Sequence, residues 1–115
     1  KYCKEFILIK SAGHYRRIEF TDLEYIKGNS KRVSLVLPDR KYNVKTAIDL
    51  FQSILPACFV QISQTHIVNT KKVKRINIDA QVIELENHNI SYIDLYKYEI
   101  FNHFHVGISV EKLQE

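Results

Sequence analysis

Four cations occupy four of five consecutive positions near the middle of the sequence: Lys71, Lys72, Lys74 and Arg75. They follow Asn69 and Thr70, whose side chains suit tight turns and hydrogen bonding. Cationic side chains on polar turns favour polyanions, because each neutralised phosphate releases a counterion. This stretch therefore predicts a surface that meets nucleic acid.

A second turn combines the same residue types. The turn Gly28–Ser30 is followed by Lys31 and Arg32, immediately before the apolar run Val33–Leu37. A short loop that projects from rigid strands holds long cationic side chains at fixed spacing, where they can reach base edges in a groove. The alternative interpretation is a solvated hairpin turn, since Lys and Arg are common at exposed positions.

The distribution of charge says more than the net charge of +4. Residues 1–75 carry 15 Lys and Arg against 6 Asp and Glu, whereas residues 76–115 carry 2 against 7. The first part is thus +9 and the second −5. A surface facing phosphates needs such a concentration of cations, although folding could interleave the two parts and cancel the asymmetry.

Other chemistries find little support in the sequence. Cys3 and Cys58 are too few for a disulfide framework or a zinc site, and His103 with His105 lacks further ligands. No nucleophile–base arrangement or glycine-rich phosphate loop is visible, and the chain has 3 glycines. We therefore expect neither an enzyme nor a metal or other cofactor.

Strands are the elements that must position the two turns. A half-buried strand begins at Phe59 and breaks into a polar turn at Gln64–His66. The helix is predicted at Thr46–Leu55, where apolar residues recur at three- and four-residue steps, with Thr46 as a cap and Pro56 beyond its end. Further strands are predicted at Glu5–Lys10, His14–Phe20, Leu23–Ile26, Val33–Leu37, Tyr42–Val44, Ile76–Ile78, Gln81–Leu85 and Ile90–Leu95.

This pattern predicts a mainly β fold of antiparallel strands in small packed sheets, with one short amphipathic helix and a C-terminal helical turn near Ile100. The 115 residues, 45% of them hydrophobic, suffice for a single domain over residues 1–115. No apolar run approaches the ~20 residues that span a bilayer, so we expect a cytoplasmic segment without membrane contact. The start at Lys1 and the absence of Met indicate a fragment of a longer protein.

The sequence resembles the LytTR-type DNA-binding domain of bacterial response regulators over residues 6–100, with residues 101–115 as a tail. Phe59, Val68, Asn69 and Ile76 match the strand, turn and basic segment that mark the family. Upstream, the segments 22–26 and 41–55 are similar to the family's strand and to the strand and helix that precede its hallmark. Asn69 looks like a fold-maintaining residue, because Asn in a tight turn commonly bonds the backbone two residues on.

The resemblance implies a transcription regulator of two-component systems. Loops at Asn29–Arg32, Gln64–His66 and Asp94–Lys97 would meet successive grooves of double-stranded DNA, with Lys31 on a base and Gln64 at a position that contacts the DNA backbone. Two copies would bind a tandem repeat as a homodimer, under an upstream receiver or sensor domain in the same chain. The residues predicted to bind DNA are Asn29, Ser30, Lys31, Arg32, Gln64, Thr65, His66, Lys71, Lys72, Tyr96 and Lys97.

Several positions depart from the family's pattern. Gln61, Ser63 and Gln64 stand where the family usually has Arg, His, and Arg or Asn, and the segment Asp94–Tyr96 has no arginine. Fewer cations predict weaker and less salt-sensitive binding. The alternative function is therefore a protein-interaction domain that keeps the fold but has weakened or lost DNA readout.

Overall fold

The computed structural model describes residues 5–104 and 109–111. Within these residues, ten strands and two α-helices follow one another. Their bounds are β1 Phe6–Ser11, β2 His14–Glu19, β3 Tyr25–Gly28, β4 Val33–Val36, β5 Lys41–Val44, α1 Ile48–Ile54, β6 Phe59–Ser63, β7 His66–Asn69, β8 Val73–Asn77, β9 Val82–Leu85, β10 Asn89–Ser91 and α2 Lys97–Asn102. Short 3-10 turns lie at Phe20–Asp22, Thr70–Lys72 and Asp94–Tyr96.

The strands form three antiparallel sheets. The central sheet has five strands in the order β5-β4-β3-β7-β6, β8 to β10 form a three-stranded sheet, and β1 with β2 forms a hairpin. The hairpin closes through Ala12 and Gly13, which both have positive φ. A two-residue loop of this kind matches the right-handed twist of the strands it joins.

The central sheet is packed on both faces. Side chains alternate along each strand, so β3 sends Ile26 to one face and Tyr25 to the other. The first core cluster joins the β1–β2 hairpin and α1 to the sheet through residues such as Ile18, Phe51 and Ile26. The second joins the three-stranded sheet and α2 to the opposite face through residues such as Ile83 and Ile100.

The predicted fold class is confirmed, and the differences lie at element boundaries. The helix is shorter than predicted, because Ala47 is its N-cap residue and no side chain caps it. Thr46 is therefore not the cap; the first helical amide, Ile48 N, donates to Asn29 O instead, at 2.8 Å. Leu55 ends the helix ahead of Pro56, as the proline predicts.

Three strands have a boundary that differs from prediction by more than one residue. The strand expected to begin at Leu23 begins at Tyr25, after the 3-10 turn Phe20–Asp22. The strand expected at Ile76–Ile78 begins earlier, at Val73. The segment expected as the strand Ile90–Leu95 divides into β10 and the 3-10 turn Asp94–Tyr96, because Ile93 N bonds to Ile62 O of the other sheet. Cys3 and His105 lie outside the described residues.

Candidate nucleic-acid interface

Two of the predicted DNA-contacting turns lie side by side at one end of the central sheet. Strands β3 and β7 are neighbours, and Gly28 N donates to Thr65 O at 2.9 Å just beyond their last paired residues. The β3–β4 turn and the β6–β7 turn therefore adjoin, although more than 30 positions separate them in the sequence. We call this end the turn end; it comprises Asn29–Arg32 and Gln64–His66.

The β3–β4 turn is held by the side chain of Asn29. Its Oδ1 accepts from Lys31 N at 2.8 Å and from Arg32 N at 3.0 Å. Asn29 N also donates to Arg32 O at 2.9 Å, which closes the turn. This residue, predicted to contact DNA, therefore has its side-chain oxygen committed to the turn, while the side chains of Ser30, Lys31 and Arg32 are exposed.

Gly28 allows the two strands to meet at this turn. A Cβ atom placed on Gly28 would lie 2.4 Å from Arg32 O and 2.7 Å from Val33 Cα. Both neighbours are backbone atoms, which cannot rotate away as a flexible side chain would. The sequence Gly-Asn-Ser-Lys-Arg thus combines a glycine for close approach, an asparagine for the turn, and three exposed tips.

Three side chains around Gln64 order the β6–β7 turn. Thr65 N donates to Ser63 Oγ at 3.2 Å, and His66 Nδ1 lies 2.8 Å from Thr65 Oγ1 and 3.2 Å from Ser63 Oγ. The ring of His66 stacks on Tyr25 at 6.0 Å between centroids. Burial, reinforced by the nearby charge of Lys27, lowers the pKa of His66, so the neutral imidazole is favoured near neutral pH. Gln64 stays exposed at the tip.

The third predicted segment starts close to the same end. Ile93 N donates to Ile62 O at 3.1 Å, one residue before the end of β6. Asp94 follows, and its Oδ1 accepts from Gln81 Nε2. Tyr96 packs partly against the second core cluster, and Lys97, the first residue of α2, is exposed. The structure thus brings Asp94 towards the turn end and gives Tyr96 a packing role.

Lys71 and Lys72 lie at the opposite end of β7 from Gln64 and Thr65. Thr70 N donates to Cys58 O at 2.8 Å, which places the following lysines beside the start of β6. The four residues of β7 separate the two ends by roughly 13 Å at 3.3 Å per residue. The structure does not bring these two lysines together with the turn end, and their contact with DNA stays a prediction.

Asn69 has the structural role that its position in a turn predicts. It is 1% exposed, its Oδ1 accepts from Lys71 N at 3.0 Å, and its Nδ2 donates to Leu23 O at 2.9 Å. The bond to the backbone two residues on is confirmed. The second bond ties the end of β7 to the segment before β3.

The family model for the LytTr DNA-binding domain matches residues 13–101. The chain belongs to this family. A solved LytTr DNA-binding domain of a putative methyl-accepting/DNA response regulator from Bacillus cereus is similar in fold, with a TM-score of 0.74. At 15% identity, the alignment covers 86% of this chain and 95% of that chain. No curated protein sequence matches. The resemblance deduced from the sequence motifs is thereby confirmed.

Two lysines near the turn end of this LytTr domain were not among the residues predicted to bind DNA. Lys27 pairs with both Ser34 and His66 across its neighbouring strands, and Lys45 follows Val44, which pairs with Val33 beside the turn. Both are exposed. The polar position in the alternating β3 strand was a signal for Lys27, but the position of Lys45 depends on the order of the strands.

Cations outnumber acids around the turn end. The exposed cations are Lys27, Lys31, Arg32 and Lys45, and none of them makes an ion pair within the described ranges 5–104 and 109–111. Two acids lie in elements that backbone hydrogen bonds tie to this end: Asp49, which follows Ile48 in α1, and Asp94, which follows Ile93. Unpaired cations on one edge provide the positive potential that attracts phosphates.

The part of the chain that the structure describes shows neither a candidate metal site nor a candidate membrane-spanning helix. Within it, no group of three or more His, Cys, Asp and Glu side chains could hold a metal ion, and no helix is long and apolar enough to cross a membrane. The ring nitrogens of His103 lie 3.0 and 3.2 Å from the carbonyl oxygens of Glu99 and Ala57. This histidine therefore ties α2 to the start of β6.

A buried carboxylate, also missed from the sequence, links the two larger sheets. Glu24 is 0% exposed; its Oε1 lies 2.9 Å from His88 Nδ1, and its Oε2 accepts from Asn87 Nδ2. His88 in turn meets Tyr25 edge to face at 5.1 Å. Burial alone would raise the pKa of Glu24, but the hydrogen bonds from His88 and Asn87, with the charge of His88, together lower it below 4.5.

Acid should therefore destabilise this domain partly through Glu24. A carboxyl group whose folded-state pKa is depressed contributes stability above its unfolded pKa and loses it as pH falls through the folded value. We expect the free energy of unfolding of Glu24→Gln to be lower than that of the wild type at neutral pH and the gap to narrow below about pH 4.5. Urea unfolding across this pH range measures the gap. The exposed Glu86→Gln is the control, and a constant gap for Glu24→Gln would contradict the prediction.

Proposed function

We propose that this LytTr domain is the sequence-specific DNA-binding effector domain of a bacterial transcription regulator. Two copies bind a tandem repeat, and a receiver or sensor domain in the same chain controls them from the cytoplasm. The relative from Bacillus cereus is described as part of a DNA response regulator, which supports this setting. No catalytic step is involved; the work is binding and positioning.

One observation carries the proposal: the cationic β3–β4 turn and the amide-bearing β6–β7 turn adjoin through the hydrogen bond from Gly28 N to Thr65 O. Both turns are fixed internally, by Asn29 in one and by Ser63 and His66 in the other. A fixed frame lowers the entropy lost when side chains bind. The tips can then enter a groove with defined spacing.

The roles of the tips follow from their chemistry. Lys31 carries hydrogen-bond donors that suit the O6 and N7 acceptors of guanine, and Gln64 can pair with adenine or bond to phosphate. Arg32, Lys27 and Lys45 lie beside them and supply phosphate contacts that set the register without reading sequence. In this proposal the bases are therefore contacted by two exposed side chains on neighbouring turns, Lys31 and Gln64.

Replacing Lys31 tests this assignment. We expect Lys31→Ala to weaken binding to the preferred sequence by about 1–3 kcal/mol and to relax specificity at one position, because a base contact is lost. Fluorescence anisotropy with duplexes selected from a random pool measures both effects. Lys10→Ala removes an equal charge from β1, in the hairpin outside the turn end, and should change affinity little. An equal loss on all sequences would instead identify Lys31 as a phosphate contact.

A second candidate function rests on the surface beside Asp94. Ile93, Leu95 and Tyr98 are 40%, 76% and 80% exposed, and the Asp94 carboxylate has no cationic partner among the described residues. An apolar surface with a carboxylate suits a protein partner better than a phosphate backbone. In this case the domain pairs with another regulator. Absence of binding to tandem-repeat and random DNA at low salt would favour it over DNA readout.

A further inference from the structure

A cavity of about 470 Å³ lies on one face of the central sheet, beyond the edge of the three-stranded sheet. Its floor consists of two rows of paired residues from β3, β4 and β5: Lys27, Ser34 and Asn43 in one row, and Tyr25, Val36 and Lys41 in the other. Arg32 bounds it on one side and His88 on another. Its size falls within the range of small-molecule sites.

The charge of this cavity has one sign. Lys27, Arg32 and Lys41 line it, and none makes an ion pair with any residue of the described ranges. No acidic residue is among those that line the cavity. Strands β3 and β5 flank β4, and Lys41 lies two residues along the strand from the row of Lys27, so the two lysines start about 12 Å apart at 4.8 Å per strand and 3.4 Å per residue. Flexible side chains from both sides can therefore reach one compact anion between them.

Neutral donors complete the floor. Ser34 Oγ donates to Asn43 Oδ1 at 2.6 Å, which fixes the amide of Asn43. The two N–H groups of that amide make no hydrogen bond to the rest of the described chain, so they remain available as donors. Amide donors beside cations are a common arrangement at phosphate sites.

Tyr25, in the floor of the cavity, has two aromatic neighbours. Tyr25 has one neighbour in His66, which stacks on it, and another in His88, which meets it edge to face. His88 is held in place by the buried Glu24. The groups of this cavity that suit an anion are its cations and the Asn43 amide.

We propose that Lys27, Arg32, Lys41 and Asn43 form a binding site for a small, multiply charged phosphorylated molecule, separate from the base-reading tips Lys31 and Gln64. The cavity is recessed, which suits a compact ligand better than the convex backbone of a duplex. The long Lys27 and Lys41 side chains extend from opposite sides towards a diphosphate-sized anion. The site goes beyond DNA readout: it shares Lys27 and Arg32 with the proposed DNA phosphate contacts, whereas Lys41 and Asn43 belong to the cavity and not to those contacts.

Calorimetric titration of the domain with inorganic pyrophosphate tests the site. We expect saturable binding with one site per chain, weakened at least tenfold by Lys41→Gln. Lys41 is exposed, so this variant should fold. Lys74→Gln removes the same charge from β8 and should leave pyrophosphate affinity unchanged.

A variant that leaves the net charge unchanged distinguishes a specific pyrophosphate site from non-specific attraction of the anion to positive charge. Asn43→Ala removes the amide donors without altering net charge, and we expect at least a threefold loss of pyrophosphate affinity. Binding without saturation, or equal losses in Lys41→Gln and Lys74→Gln, would overturn the proposal. It would also be overturned if Lys41→Gln lowered affinity for every duplex while pyrophosphate failed to bind, since the cavity would then serve the DNA backbone.

Discussion

Phe51→Ala is expected to lower the free energy of unfolding by about 3–5 kcal/mol. Phe51 is 1% exposed and lies on α1, where it belongs to the first core cluster with Ile18 and Ile26. Truncation removes a large apolar surface and leaves a cavity between the helix, the hairpin and the sheet. Urea unfolding followed by circular dichroism measures the loss.

Leu50 provides the matched control for Phe51. It precedes Phe51 on the same helix but is 47% exposed, so its truncation removes little buried surface. We expect Leu50→Ala to change the free energy of unfolding by less than about 1 kcal/mol. An unchanged melting temperature for Phe51→Ala would show that α1 does not cover the core.

Gly28→Ala should distort the turn end and destabilise the domain by about 3 kcal/mol, at the upper end of the usual cost of overpacking. The added Cβ would fall 2.4 Å from Arg32 O, so the β3–β4 turn must shift. The shift also breaks the alignment of Gly28 N with Thr65 O that joins the two turns. If the turns bind DNA as proposed, affinity should fall about tenfold or more, which corresponds to 1.4 kcal/mol.

Gly13→Ala separates this effect from a general cost of replacing glycine. Gly13 has φ of +82°, and a Cβ atom placed on it would have no neighbour within 4 Å, so alanine there is strained but not crowded. We expect a loss of about 1 kcal/mol in stability and unchanged DNA affinity, because the β1–β2 hairpin lies outside the turn end. Equal DNA-binding losses in both variants would contradict the role assigned to Gly28.

Local patterns predicted the elements of this domain better than their arrangement. Alternation and helical spacing located most strands and α1, and turn chemistry predicted the backbone bond of Asn69. The prediction that Thr46 caps the helix was wrong. Asn29 O, nearly twenty positions away, accepts the hydrogen bond from the first helical amide instead. Capping patterns consider only neighbouring residues, so they cannot predict a hydrogen-bond partner so distant in sequence.

The candidate site was predictable in composition but not in extent. The turns at Asn29–Arg32 and Gln64–His66 could be identified from residue types and from the family motif, whereas their contact depends on the pairing of β3 with β7. Strand β7 runs between the turn end and Lys71 and Lys72. These two lysines therefore lie at the other end of that strand. DNA contact by Lys71 and Lys72, which follow β7, stays a prediction.

Glu24 illustrates the part that no local pattern reveals. Its neighbours in the sequence predict a strand, and a carboxylate there would ordinarily face solvent. His88, its partner, lies 64 positions away in the turn between β9 and β10 of the three-stranded sheet. Burial of the pair follows from the packing of one sheet on the other.

In the two turns, the residues that fix the backbone differ from the residues at the exposed tips, and this has an evolutionary consequence. Hydrogen bonds that fix the backbone come from Asn29, Ser63 and Thr65, whereas the side chains of Ser30, Lys31, Arg32 and Gln64 make none to the described chain. Substitutions at these four tips can therefore accumulate without a penalty to folding. If these tips read DNA as proposed, paralogues acquire new operator preferences through a few codon changes, and a library randomised there should yield folded domains with altered targets.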